Sequence, residues 1–333
     1  MNILVTGGSG FIGSSLVKRL VNEGNVVRVL DNQSRGTKEH IKNIINDIDF
    51  IKGDIRDISA VKMACKGVDI VYHLAFVNGT EFFYSKPDVV LDVGVKGMIN
   101  VLEASIENNV KEFILASSSE VYQMAPTIPT DETIQLSIPN PMNPRYSYGA
   151  GKIISEIMAI NYGRKYFDRV LIFRPHNIYG PNMGFEHVVP QFIVRMNELI
   201  NKSTDPCIKF PIKGSGEETR AFCYIDDFIN GLMVMHNKGE HLNIYHIGTD
   251  QEVTIKEVAI KVGEYFNKDI QVIPGKEVEG GAPRRCPDIN KLKKLGYYPH
   301  ISLTEGIKKT IPWYLKNADK KDKKSMDLGI KNI

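Results

Sequence analysis

The first thirteen residues constrain the fold of this chain more than any later stretch. Asn2-Ile3-Leu4-Val5-Thr6 reads as a buried strand and runs without a spacer into Gly7-Gly8-Ser9-Gly10-Phe11-Ile12-Gly13, after which Ser14 to Leu20 has a helical pattern. Gly7, Gly10 and Gly13 stand three apart. That spacing lets the backbone turn tightly, approach a pyrophosphate and pack the helix onto the strand, with free N–H groups directed at phosphate. The turn predicts a dinucleotide cradle, with Phe11 and Ile12 at its helical end. Asp31 follows the second apolar run, Val26 to Leu30, where such folds set an acid on the adenosine ribose. A carboxylate there accepts from a 2′-hydroxyl and repels a 2′-phosphate, which favours NAD over NADP, with Arg35 near enough to argue the other way. A turn aspartate closing a strand is the plainer alternative.

Further apolar runs near 49–53, 69–74, 112–116 and 169–174 alternate with helical patterns, predicting an α/β protein with a Rossmann-type, doubly wound parallel sheet. After Arg174-Pro175 the rhythm loosens into short helices, turns and brief strands such as 207–212 and 243–247. The expected division is a dinucleotide-binding domain at 1–174, with allowance for a later strand returning to its sheet, a smaller substrate lobe at 175–316, and a flexible Lys-rich tail at 317–333. Two helical stretches, 87–108 and 147–166, are apolar on more than one side, which points to a homodimer built on them. From Lys316 onward there are six lysines and three aspartates, so the net charge of +3 belongs to the end of the chain. The body carries no basic footprint for nucleic acid. Four cysteines lack CxxC or CxxH spacing, which argues against a disulfide framework and against a zinc site. No apolar run approaches the ~20 residues of a bilayer span, and the first strand starts at residue 2. The expectation is a cytoplasmic protein without a membrane contact or a metal.

Tyr148-Gly149-Ala150-Gly151-Lys152 sets a phenol and an ammonium one helical turn apart. A neighbouring ammonium favours the phenolate, so the pair is expected to lower the Tyr148 pKa towards that of a general base. The fifth apolar run ends in Leu115-Ala116-Ser117-Ser118-Ser119-Glu120-Val121-Tyr122, at the carboxyl edge where parallel sheets place ligands.

With these stand Gly53-Asp54-Ile55-Arg56-Asp57, His73-Leu74-Ala75, Arg174-Pro175-His176-Asn177-Ile178-Tyr179-Gly180-Pro181, Arg220 and Tyr224-Ile225-Asp226-Asp227. On these motifs the chain, from residue 1 to about 315, resembles the extended short-chain dehydrogenase/reductases of the NAD-dependent nucleotide-sugar epimerase/dehydratase family. The resemblance implies that Asp54 and Ile55 hold the adenine, that Leu74 and Ala75 line the cofactor, and that Lys152 binds the nicotinamide ribose. Ser118 matches the family's catalytic Ser/Thr, bonding the sugar 4-hydroxyl while Tyr148 takes its proton and the C4 hydride passes to NAD. Asn177 and Arg220 match phosphate-holding positions, 188–192 matches the segment over the nucleotide base, and Ser119 and Arg145 fall beside the substrate.

Glu120 is the residue that separates the reactions of such a family. An acid there implies chemistry at C5, as the base of a dehydratase or beside the 4-keto electron sink of a uronate decarboxylase, with Arg285 on the substrate carboxylate or on a phosphate. Ser119 stands where glucose-type 4,6-dehydratases have Asp, the loop Phe76 to Glu81 is unlike that of the decarboxylases, and Gln123 replaces a glycine. C4 epimerisation with NAD recycled is the single reaction favoured by the family as a whole. Glu120/Arg285-assisted decarboxylation or 4,6-dehydration is the alternative, and a non-catalytic NAD-sensing protein is the reading from another class. His73 is expected to be a hydrogen-bonded structural residue, and Trp313 and Tyr314 to be packing.

Overall fold

The computed structural model describes residues 1–276 and 282–318. Seven strands form the central sheet: β1 (Asn2–Thr6), β2 (Val26–Asp31), β3 (Ile48–Lys52), β4 (Ile70–His73), β5 (Glu112–Ala116), β6 (Arg169–Pro175) and β7 (Asn243–Ile247). Every pairing is parallel, in the order β7-β6-β5-β4-β1-β2-β3. After β3 the chain returns to lay β4 on the free side of β1. The carboxyl ends of β1 and β4 therefore flank the crevice where such sheets take ligands.

Helices α1 (Phe11–Asn22), α2 (Ile58–Cys65), α3 (Gly97–Glu107) and α4 (Ser147–Tyr166) cover the sheet. With both faces covered, the central strands read as nearly continuous apolar runs: all four residues of β4 are buried. One core joins Leu16 and Val17 of α1 to Phe173, Phe192, Phe228 and Tyr314, so the sheet and the second lobe share it, while Val61, Val101 and Phe113 pack on the opposite face.

Two elements differ from the sequence reading. Residues 243–247 join the main sheet, pairing from Asn243 with Leu171 to Ile247 with Pro175. This covers the edge β6 would otherwise leave bare. The stretch 87–108 is helical as expected, but between Pro87–Leu91 and α3 it widens into a π-turn at Asp92–Lys96. The widened turn receives the ring of Phe76: a Cβ on Gly94 would lie 2.4 Å from its Cζ.

Beyond β6 come short strands, in two pairs and one set of three, and the helices Val188–Lys202, Ile225–Lys238, Ile255–Tyr265 and Leu303–Lys316, of which Ile225–Lys238 packs on α1, β6 and β7. Residues 188–192 open the first of these, with Val189, Pro190 and Phe192 buried in the core. Only Val188 and Gln191 of that segment keep surface to offer a ligand. Tyr314 is packed as expected, its hydroxyl donating to the Met183 carbonyl at 2.8 Å. Among the described residues no helix is long and apolar enough to cross a membrane. The expected Lys-rich tail lies, from residue 319 on, outside the described residues.

Candidate active site

The glycine turn at the end of β1 leaves no room for side chains. Gly7 has φ +72°, and a Cβ there would lie 2.9 Å from the Ala75 nitrogen; a Cβ on Gly13 would lie 2.2 Å from the Gly7 oxygen. Asp31, ending β2, is buried and accepts the backbone N–H groups of Ser9 at 2.9 Å and Gln33 at 2.7 Å, which ties the acid to the turn. On the other side Ala75 donates to the Thr6 hydroxyl, which also meets His73 Nδ1 at 2.8 Å. Burial drives the His73 pKa down to about 3, so this histidine is a neutral brace. Asp54 takes hydrogen bonds from Asn32 and Arg56, and the Arg56 bond foremost holds its carboxyl down at about 2. Ile55 is buried beneath α3, its carbonyl accepting from Asn100.

The first turns of α4 face the end of β5. Ser118 caps a short 3-10 turn (Ser119–Val121), accepting the Glu120 N–H, and its hydroxyl faces the buried Tyr148 phenol. Lys152 Nζ donates to the Ala116 carbonyl at 2.7 Å and sits 4.0 Å over the Phe76 ring. Burial lowers the Lys152 pKa to about 7, with Glu156 opposing the fall. The expected lowering at Tyr148 is not what the structure has. Burial raises that phenol, Ser118 opposes the rise, and the Glu120 charge adds to it. The reason is its setting: Tyr148 stacks on Phe83 at 4.8 Å and meets the edge of Phe76 at 5.2 Å, while the ammonium is spent on Ala116.

A second cluster gathers the remaining candidates around Glu120. Arg285 Nη1 donates to Glu120 Oε1 at 2.6 Å. Burial opposes ionisation of Glu120, but Arg285, with the charges of Arg145 and Arg220 behind it, outweighs burial and holds the carboxyl below its usual range. Arg220 is itself lowered to about 10, by burial first and then by the like charge of Arg285. Ser119 is buried beneath this cluster. Arg145 Nε and Asn177 Nδ2 are buried donors without a partner among the described residues. Asn177 holds φ +44° between β6 and the strand Ile178–Tyr179. Groups of that kind suit the oxygens of a diphosphate.

The structure thus brings Ser118, Tyr148 and Lys152 together, and Glu120, Arg145, Arg220 and Arg285 together, with one stretch of chain between them. A glycine turn packed tightly against Ala75 and the start of α1, an acid at the end of β2 and a buried ammonium beside β5 fit a dinucleotide laid along the sheet's carboxyl edge. Sequence reading missed Phe76, Phe83 and Glu156 as members of the site. For Glu156 the signal was present, one turn beyond Lys152. For the phenylalanines it was only that large apolar residues stand in a loop at the end of β4. Among the described residues no group of three or more His, Cys, Asp or Glu is placed to hold a metal ion.

Comparison with known proteins agrees with this geometry. The family model described as "NAD dependent epimerase/dehydratase family" matches residues 3–248. A UDP-glucuronic acid decarboxylase of Arabidopsis thaliana is 32% identical over 315 residues, spanning 92% of this chain and 87% of the relative. A putative UDP-glucose 4-epimerase of Methanocaldococcus jannaschii is 34% identical, spanning 95% of this chain and 99% of the relative. Among solved structures, a dTDP-glucose 4,6-dehydratase from Streptomyces venezuelae with NAD bound superposes with a TM-score of 0.84 at 27% identity, covering 97% of this chain and all of that one.

Proposed function

The chain belongs to the NAD-dependent epimerase/dehydratase family, and on that premise we propose that it oxidises a nucleotide-linked uronic acid at C4 and then removes its carboxyl group. It is an NAD-dependent enzyme of the nucleotide-sugar type. The observation that carries the finer reading is the Glu120–Arg285 pair set among Arg145 and Arg220. Arg145 and Arg220 are enough for the two charges of a diphosphate, and Arg285, drawn aside by Glu120, is the guanidinium left for a uronate carboxylate.

NAD, when bound, supplies the acceptor for the C4 hydride and the donor that returns it. The chain's own residues bind, orient and move protons. The Gly7–Gly13 turn and Asp31 would hold pyrophosphate and adenosine ribose, and Lys152 the nicotinamide ribose. Ser118 orients the 4-hydroxyl, and Tyr148, a neutral phenol while Lys152 is held by Ala116, would remove its proton once the Lys152 ammonium turns to it and favours the phenolate. Once C4 is a ketone, a carboxylate on C5 lies β to a carbonyl. The C5–C6 bond breaks, its electron pair passes into the C4 carbonyl as an enolate, carbon dioxide leaves, and a proton returns to C5. Arg285 pairs with the substrate carboxylate, and Glu120, kept ionised, holds that guanidinium in place until substrate arrives. Arg145, Arg220 and Asn177 take the diphosphate.

C4 epimerisation is the second reading. It is favoured by the putative 4-epimerase among the relatives and by the fact that Glu120 is already satisfied by Arg285, so that it could serve only to aim Arg285 at phosphate. The two readings part when the protein, with NAD, is given UDP-glucuronate and UDP-glucose separately, and the products are weighed for loss of carbon dioxide and separated by chromatography to resolve the 4-epimers. Loss of carbon dioxide from the uronate, abolished by Glu120→Gln and by Arg285→Met, supports decarboxylation. Interconversion of UDP-glucose and its 4-epimer with the uronate untouched sinks it. Binding of NAD with no turnover across a panel of nucleotide sugars would leave the sensing protein.

A homodimer is part of the proposal, because Leu91, Ile154 and Ile157 stand exposed along adjoining faces, Ile157 with 53% of its surface open. So is a cytoplasmic location, which suits four free thiols at Cys65, Cys207, Cys223 and Cys286.

A further inference from the structure

Three residues of α4 face three consecutive residues at the end of β5. Tyr148, Lys152 and Glu156 follow one another at one per turn and share a helix face. Tyr148 faces the Ser118 hydroxyl, Lys152 reaches the Ala116 carbonyl, and Glu156 accepts from the Ser117 hydroxyl. Glu156 is 1% exposed and is gripped from β6 by Arg174, Nε to Oε1 at 2.8 Å and Nη2 to Oε2 at 2.6 Å. Arg174 is backed in turn by the Tyr122 hydroxyl, which meets His246 Nε2 at 2.7 Å. A buried ion pair of this kind is seldom better for stability than apolar packing, so its place beside Lys152 calls for another reason.

We propose that Glu156 is a positioning residue for Lys152: it registers α4 on the end of β5 and sets a counter-charge one helical turn away that favours the cationic form of Lys152, directed at the nicotinamide ribose and Tyr148. The proposal rests on the reading of Lys152 as the cofactor-facing member of the Tyr148/Lys152 pair. Burial alone would strip the proton from Lys152, and Glu156 is the group that opposes it. The other groups around the ammonium do not. Tyr148 on its own helix is a neutral phenol raised by burial, Phe76 offers only its ring face, and His73 at the end of β4 is held neutral. From β6, Arg169 lies at the far end, paired with Glu112, and Arg174 is bound to Glu156, which alone among the charged groups acts on Lys152. Loss of the Glu156 carboxylate therefore favours loss of the lysine proton.

The test follows the titration of Lys152 in the full chain labelled with 13C-lysine, its Cε signal assigned by its absence in Lys152→Met. Glu156→Gln is expected to lower the Lys152 midpoint by about one pH unit or more, as expected for losing a carboxylate one helical turn away at an effective dielectric of about 20. Glu156→Asp, which keeps the charge, is expected to stay near the wild-type midpoint. A structural role alone would move stability in both variants and the midpoint in neither. Because an unpaired Arg174 can unfold the single variant, Glu156→Gln/Arg174→Met is measured beside it, with a midpoint below wild type by less than in the single variant, since the carboxylate acts on Lys152 more strongly than the guanidinium behind it. An unchanged midpoint in either folded variant overturns the proposal. NADH binding by fluorescence tests the underlying reading separately: if Lys152→Met binds NADH as wild type does, Lys152 is not a cofactor ligand, whatever sets its charge.

Discussion

Replacing Lys152 with Met is expected to stabilise the protein stripped of nucleotide while removing its chemistry. The side chain is 3% exposed, and burial lowers its pKa from 10.5 to about 7. A lysine whose folded pKa lies below its unfolded value costs stability. Below pH 7 both states hold the proton and the cost is whole, about 5 kcal/mol. Between pH 7 and 10.5 the unfolded chain binds a proton the native state lacks, so stability rises with pH, and above 10.5 the cost is gone. At pH 7.5 the cost is still about 4 kcal/mol. Against it stand the bond to Ala116 and the Phe76 face, together about 1–2 kcal/mol, of which a methionine thioether on the same ring recovers part. The net gain expected at pH 7.5 is about 2–3 kcal/mol. For 333 residues, with an unfolding entropy near 0.7 kcal/mol/K, that is a rise in Tm of about 3–4 °C. Thermal melts followed by circular dichroism from pH 6 to pH 10 should show the gap widest at pH 6 and closing as the pH rises. Saturating NAD should shrink or reverse it, since only wild type gains from the lysine contact. A variant less stable than wild type at every pH, or a gap that does not change with pH, would refute the account of Lys152 as a buried, strained cation.

Gly94→Ala should cost about 1–3 kcal/mol by pushing Phe76 out of the π-turn, and most of that cost should vanish in a Phe76→Leu background; equal costs in the two backgrounds, read as urea midpoints, would dissociate the turn from the ring. Arg285→Met should leave Glu120 without its main partner and raise its pKa. In wild type the pair contributes stability above the usual carboxylate range and loses it as pH falls through the lowered value, so the drop in urea midpoint between pH 7 and pH 4 should be smaller in the variant. Ile154→Glu with Ile157→Glu should halve the mass in sedimentation while NAD binding persists; an unchanged mass would remove these faces from any interface.

Local features were the ones legible in the sequence. The strands up to residue 175 could be read because each is an apolar run closed on both sides by a turn, and the glycine turn because backbone geometry there dictates the residue type. The sequence reading allowed for a later strand returning to the first sheet but could not single out 243–247, because a short apolar strand reads the same wherever it pairs, and its partner β6 lies some seventy residues earlier. The break at Asp92–Lys96 was invisible because its cause, the Phe76 ring, arrives from another loop. Candidate residues far apart in sequence, Glu120 with Arg285 above all, were legible only through a family's pattern. The Tyr148 pKa was misjudged for a related reason. Spacing on a helix shows that Lys152 is near, but not that its ammonium is engaged by Ala116 or that two aromatic rings enclose the phenol.

Five consecutive residues explain how one site can separate two kinds of chemistry. Ala116 and Ser117 turn towards α4, meeting Lys152 and Glu156, and Ser118 faces Tyr148. On the proposed function, the groups that would handle the C4 proton hang on three residues at the end of β5. The 3-10 turn that Ser118 caps then carries the chain away from α4, so that Glu120 meets Arg285. The proposed C4 machinery thus rests on β5 and α4, with Phe76 and Phe83 closing over Tyr148. The Glu120 cluster depends on where the strand Arg284–Arg285 docks. On the proposed function, relatives that keep the first part and vary the second would share oxidation at C4 and differ in the fate of the 4-ketone; the relatives of this chain include a decarboxylase, a putative epimerase and a dehydratase by name. The residues that choose the second step should accordingly be sought where the lobes meet, at Glu120, Arg145, Arg220 and Arg285, and not along the glycine turn.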